Sequence, residues 1–208
     1  PGATAVVEGV ARWEGSTPLK VKQLTNTVDV ATCGERVSPG SVVALPTGEL
    51  ANAFVELRPL DAPRGHADPI ASAGAPVVVT IARCLADPHL LVVPLGSAVE
   101  VRNADPVRHD LVATCVRNPS FRVDLPRYRK RAIVAASALS REERIQVKDD
   151  AHPWSVSWWV VTGSRLRAVT GRDGRFRIEG VPPGPWRLVA WHEELGEVER
   201  TVDAHAGQ

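Results

Sequence analysis

Hydrophobic and polar positions alternate with a period of two along much of the chain. Val99 and Val101 alternate with Glu100 and Arg102, and Ile145 and Val147 alternate with Gln146 and Lys148, the signature of strands with one buried face. The apolar runs at 77–83, 89–95, 98–103 and 157–161 read as further strands. Only SALSREER, at 137–144, has helical composition, so one short helix is expected there. Prolines and glycines number 17 and 16 and fall between the apolar segments as turn punctuation. Asp173-Gly174 reads as a hairpin turn with Phe176 and Ile178 on one side, and Pro182-Pro183-Gly184 turns into WRLVAW. The expected class is all-β, built as β-sandwiches.

Composition narrows the function classes. A formal charge of +1 argues against wholesale nucleic-acid binding, and no apolar run approaches the ~20 residues of a membrane-spanning helix. The chain starts at Pro1 and contains no methionine. The opening PGATAV reads as a mature end left by signal-peptide cleavage, so a periplasmic or extracellular location is expected. The three cysteines, Cys33, Cys84 and Cys115, form no CxxC pair, which leaves zinc ribbons and thioredoxin-type motifs unsupported. No G-x-S-x-G, phosphate-cradling glycine loop or pair of catalytic carboxylates is present, and the chain is expected not to be an enzyme.

Two sets of motifs carry resemblances. Gly9-Val10, Ala53 to Leu57, Thr170 to Phe176 and Val181 to Leu188 resemble, in order, the strands and hairpin of the carboxypeptidase regulatory-like domain, a small transthyretin-like sandwich. Between them, Gly96 to His109 contains G-x-x-V-x-x-x-N-x-D-x-x-x-H, and Asp149-Asp-Ala-His152-Pro-Trp-Ser155 has the spacing C-x-x-H-x-x-M with its first and last residues changed. Both stretches resemble cupredoxins. The whole chain is similar to exported cupredoxin-like proteins found near methylamine-utilisation systems. That resemblance implies a discontinuous regulatory-like sandwich at 1–74 plus 163–208, with a degenerate cupredoxin-like domain at 75–162. It also implies a Cys33–Cys84 disulfide, His109 as a first metal ligand, and Asn103 as a residue that ties the site together.

A blue-copper site needs two imidazoles, a thiolate and a weak axial thioether. Here Asp149 stands where the thiolate is expected and Ser155 where the thioether is expected. Cys115 lies six residues past His109, about 20 Å along an extended strand. Two readings are open. In one, His109 and His152 are remnants hydrogen-bonded to backbone carbonyls under Trp154, and no cofactor is held. In the other, His109, His152 and Asp149 form a His₂-carboxylate set suited to Cu2+ or Zn2+, with Asp150 the rival carboxylate if the register shifts by one.

Other candidates are set against plainer roles. His192, beside Glu193 and Glu194, reads as structural, because the resembled family carries WHE there whatever its metal status. His66 and His89 stand alone, and His205 lies near the end of the chain. The run Arg122 to Arg131 gathers five basic residues in ten positions. Arg127, Arg129, Lys130 and Arg131 are either a solvated loop or a docking patch for an acidic protein partner or an anionic membrane surface. The function expected is a non-catalytic binding or structural module in a larger periplasmic or surface assembly, without blue-copper electron transfer. The alternative is a metalloprotein using the His/His/Asp site.

Overall fold

Strands form where the period-two pattern runs: Arg131–Val134 and Glu143–Asp149 each bury alternate residues. The computed structural model describes residues 4–15, 23–39, 47–60, 75–127 and 130–206. The chain divides into two compact units. The first gathers Pro1–Lys20, Val42–Asp68 and Ser164–Gln208, and the second gathers Val21–Ser41 and Pro69–Gly163. Val21–Ser41 therefore belongs with the second unit, whereas the sequence expectation put it within 1–74. It is held there by the Cys33–Cys84 disulfide and by Asp29, which reaches His152.

In the first unit, Ala5–Val10 pairs antiparallel with Arg175–Val181. A four-stranded sheet runs in the order Arg167–Val169, Phe54–Pro59, Gly184–His192, Gly196–Ala204. Ala5, Val55, Leu57, Ile178, Val181 and Ala204 meet in its core, so the two sheets face each other. The expected hairpin at Asp173-Gly174 is corrected: Arg167–Val169 and Arg175–Val181 lie in different sheets, and the turn carries the chain across. Gly174 has φ 70°, and a Cβ there would lie 2.7 Å from the Ala11 carbonyl oxygen, so glycine is required. His192 sits buried at the end of its strand, and its Nδ1 accepts the Glu194 N–H.

The second unit is a sandwich of five and four strands. One sheet runs Phe121–Leu125, His109–Ala113, Glu143–Asp149, Val156–Thr162, Leu90–Pro94. The other runs Arg131–Val134, Val99–Asn103, Val77–Ala82, Leu85–Asp87. Leu90–Pro94 joins Val156–Thr162 in parallel, and Val77–Ala82 joins Val99–Asn103 in parallel. Val79, Val99 and Val101 from one sheet pack with Leu111, Ile145, Val147 and Trp159 from the other. The helix expected at 137–144 is not formed. Ala136–Leu139 makes one 3₁₀ turn, and Glu143 already starts a strand. Leu139 is drawn fully into the core, and Ile145 and Val147 impose period two from Glu143 onward, so packing overrides the helical composition.

Among the described residues, no helix is long and apolar enough to cross a membrane. Of the basic segment, Arg127, Lys130 and Arg131 are exposed. Arg129 lies outside the described residues, as does His66.

Candidate functional site

Strand phase decides which acidic residue enters the interior. Ile145, Val147 and Asp149 share one face of Glu143–Asp149, and all three are buried. Asp150, one residue on, has an exposed side chain 3.5 Å from Arg122. On the neighbouring strand His109, Leu111 and Ala113 point inward in the same way, and Asp149 pairs with Leu111 across the ladder. Asp149, not Asp150, therefore meets His109.

His152 arrives by a different route. The turn after Asp149 is closed by three backbone hydrogen bonds: Asp149 N–H to Ser155 O at 3.0 Å, His152 N–H to Asp149 O at 3.1 Å, and Ser155 N–H to His152 O at 2.7 Å. This folds the imidazole back over the carboxylate. Nδ1 of His109 lies 2.7 Å and Nδ1 of His152 lies 2.9 Å from the same atom, Asp149 Oδ2. The ring centroids are 4.7 Å apart, and Trp154 covers His152 edge-on. The other Asp149 oxygen accepts the N–H groups of Asp110 and Ala151. The three residues are all but fully buried. The plain reading of the two histidines is corrected in one respect: their Nδ1 atoms meet a carboxylate, not backbone carbonyls.

Electrostatics follow from that contact. Burial works against the Asp149 charge, but hydrogen bonds from His109, His152 and the backbone outweigh it and hold the carboxyl well below its usual range. Burial likewise opposes charge on His152, yet Asp149 and Asp29 raise its pKa. An ionised carboxylate offers no proton, so the hydrogen in both contacts must come from the imidazoles, and Nδ1 carries it in each ring.

Asp29 and Asp105 extend the cluster; Asp105 is the aspartate of the Gly96–His109 motif, whereas no signal in the sequence marks Asp29. Asp29 Oδ2 lies 3.2 Å from His152 Nε2; its backbone is left-handed, with φ 47°, which an aspartate tolerates better than most residues. Asp105 Oδ2 lies 3.2 Å from His109 Nε2. The angle there makes no hydrogen bond, and this buried nitrogen has no hydrogen-bond partner among the described residues. Asn103 fixes Asp105 by accepting its N–H at 2.8 Å while donating to Val107 O at 3.0 Å. The two carboxylate oxygens of Asp105 in turn accept the N–H groups of Arg83 and Cys84, each at 2.8 Å. Arg83 and Cys84 form a two-residue hairpin loop, both with φ above 50°. Such loops ordinarily use Asn-Gly; here the Asp105 clamp and the disulfide hold an Arg-Cys pair in the same shape.

Among the described residues three donor clusters result, each with atoms within 4.8 Å of one another: His109/Asp149/His152, Cys84/Asp105/His109 and Cys33/Cys84/His152. Cys115 belongs to none of them. It is a half-buried free thiol whose pKa is raised by burial and by nearby Glu143. The donors of the first cluster match Cu2+ or Zn2+ in type, two imidazoles and a carboxylate. They do not match blue copper, since neither a thiolate nor a thioether is present. The separations are those of hydrogen bonds. A tetrahedral ion with bonds of about 2.0 Å holds its donors about 3.3 Å apart, so binding one requires the cluster to open by about half an ångström.

No protein-family model matches the chain, and no curated protein matches it. Among solved structures, part of the chain is similar to the Cu-containing nitrite reductase (NirK) from Thermus scotoductus SA-01, at 23% identity over 45% of this chain and 25% of that one, TM-score 0.37. This chain thus spans about a quarter of that protein's length. A purple cupredoxin from Nitrosopumilus maritimus is similar at 20% identity over 41% of this chain and 99% of its own, TM-score 0.35. A reduced mutant of amicyanin is similar at 18% identity over 44% and 86%, TM-score 0.35.

Proposed function

We propose that this protein is a non-catalytic binding or structural module of a larger periplasmic or surface assembly, in which a buried His–Asp–His cluster occupies the place of a blue-copper centre. One observation carries the reading. A single oxygen, Asp149 Oδ2, accepts a hydrogen bond from the Nδ1 of both His109 and His152. The Nδ1 nitrogens, which face each other across Asp149, are spent on its carboxylate, and the cluster closes itself with protons. Electron transfer through a copper–thiolate bond has no ligand here to run through. Docking to the assembly is assigned to Arg127, Arg129, Lys130 and Arg131, whose charge stands out on a nearly neutral chain.

A second reading is favoured by the donor types. His109, His152 and Asp149 would hold Cu2+ or Zn2+, and the ion would supply Lewis-acid charge or, for copper, a redox couple. Metal analysis of the disulfide-intact protein, purified without chelator, separates the two. The first reading predicts far less than one Cu or Zn per chain and no gain in thermal stability on adding either ion. Near-stoichiometric metal, with a stability gain abolished in Asp149→Ala, would replace it with the second.

A further inference from the structure

We propose that the Cys33–Cys84 disulfide masks a second site, which opens on reduction and binds a thiophilic d10 ion, Cu+ or Zn2+, through Cys33, Cys84 and His152. The donor atoms of these three residues already lie within 4.8 Å of one another, all buried. An ion with bonds of about 2.0–2.3 Å holds such donors about 3.5–3.8 Å apart, so the two sulfurs, once unbonded, separate to that distance while the imidazole stays within about an ångström of it. Two thiolates and an imidazole suit soft ions where the His/His/Asp set does not.

The surroundings are built to keep the donors in place once the bond is broken. Asp105 clamps the backbone of Cys84 through its own N–H and that of Arg83. Cys33 ends the one-turn helix Val30–Cys33, whose amide groups at Thr32 and Cys33 are tied to Asp29 O. The Nδ1 of His152 is given to Asp149, which makes Asp149 the orienting carboxylate behind a metal-bound histidine; Nε2 coordinates by exchanging its 3.2 Å contact with Asp29 Oδ2, whose side chain is partly exposed, for the ion. A neighbouring cluster shares Cys84: the buried His109 Nε2, 3.2 Å from Asp105 Oδ2 but without a hydrogen bond among the described residues, lies within 4.8 Å of a Cys84 donor.

The opening step is a thiol–disulfide exchange with a dithiol reductant. One thiolate of the donor attacks the sulfur of Cys33, the less buried of the two residues, and Cys84 leaves as a thiolate that takes up a proton. The donor's second thiol then displaces Cys33, and the donor closes to its own disulfide. Two electrons and two protons have passed to the protein. On metal binding each cysteine forms a sulfur–metal bond and releases its proton to solvent.

The test uses the full chain, oxidised and after anaerobic reduction with a phosphine that is then removed. Cu+ and Zn2+ are each titrated against a chromophoric competitor. Expected is one ion per reduced chain, bound at least 100-fold more tightly than by the oxidised chain, for one ion or both. Alkylation followed by mass measurement should then show Cys115 modified and Cys33 and Cys84 protected. Cys33→Ser should lose the tight binding. Equal affinity in the two redox states, unprotected cysteines, or full binding by Cys33→Ser overturns the proposal. So does a reduced chain that unfolds and is not refolded by either ion. Because the proposed function is tested on the oxidised protein, failure of one leaves the other standing.

Discussion

Asp149→Ala is expected to destabilise the second unit by about 3–5 kcal/mol, the usual consequence of removing one partner from a buried charged cluster. The substitution deletes the acceptor of two buried imidazole N–H groups and of the Asp110 and Ala151 amides. In thermal melting this corresponds to a fall on the order of 10 °C for a chain of this size. Asp150→Ala is the matched control. Its carboxylate is exposed and pairs with a surface arginine, Arg122, at 3.5 Å, so the change should stay within about 0.5 kcal/mol. A stable Asp149→Ala protein would mean that the cluster contributes little to the fold.

The pH dependence of that variant carries more information than its melting temperature. Asp149 ionises more readily folded than unfolded, so its contribution is present above the ordinary carboxylate value of about 4 and fades as the pH falls. His152 protonates more readily folded than unfolded, so its contribution is present below about 6.5 and fades as the pH rises through its raised folded value. The cluster therefore stabilises most between about pH 4 and 6.5. Asp149→Ala should flatten both limbs of the stability curve. Denaturant midpoints measured from below about pH 4 to above about pH 6.5 read both limbs directly, and two parallel curves would contradict it.

The double substitution Asp149→Cys and Ser155→Met is expected to turn a colourless protein blue on addition of Cu2+. The sandwich already brings His109 and His152 to centroids 4.7 Å apart with the residue at 149 between them. A thiolate there supplies the intense sulfur-to-copper charge transfer that a carboxylate cannot. Ser155 is buried, and its hydrogen bonds to the loop run through its backbone, so the loop closure survives a change of side chain. The visible spectrum after copper addition decides it. A folded variant without the band would show that the two imidazoles cannot converge on a metal.

The strands are legible in the sequence because alternation is a local signal, and it places Val99, Val101, Ile145 and Val147. The central cluster is legible through the resemblance of two stretches to cupredoxins, which implies that His109 meets Asp149, forty residues on, together with His152. The choice of Asp149 over Asp150 is the same period-two rule carried to the end of a strand. The illegible part depends on chain separation. The Cys33–Cys84 disulfide that the resemblance implies is formed, but Asp29 lies 123 residues before His152 in the sequence, and only the fold brings the two together. SALSREER reads as a helix yet forms none, because one buried leucine and the strand after it outweigh local propensity. The Asp-Gly turn is real, but a turn signal does not say whether the flanking strands pair with each other or with two different sheets.

The central claim is that hydrogen bonds, not a metal, join His109, Asp149 and His152. The most direct measurement is the imidazole nitrogen spectrum of the disulfide-intact protein, uniformly labelled with nitrogen-15 and purified without chelator. Protonated Nδ1 signals on both His109 and His152, slow to exchange with water and lost or shifted in Asp149→Ala, are the predicted result. Unprotonated Nδ1 atoms on both rings, returning to the protonated form only after a chelator is added, would contradict it.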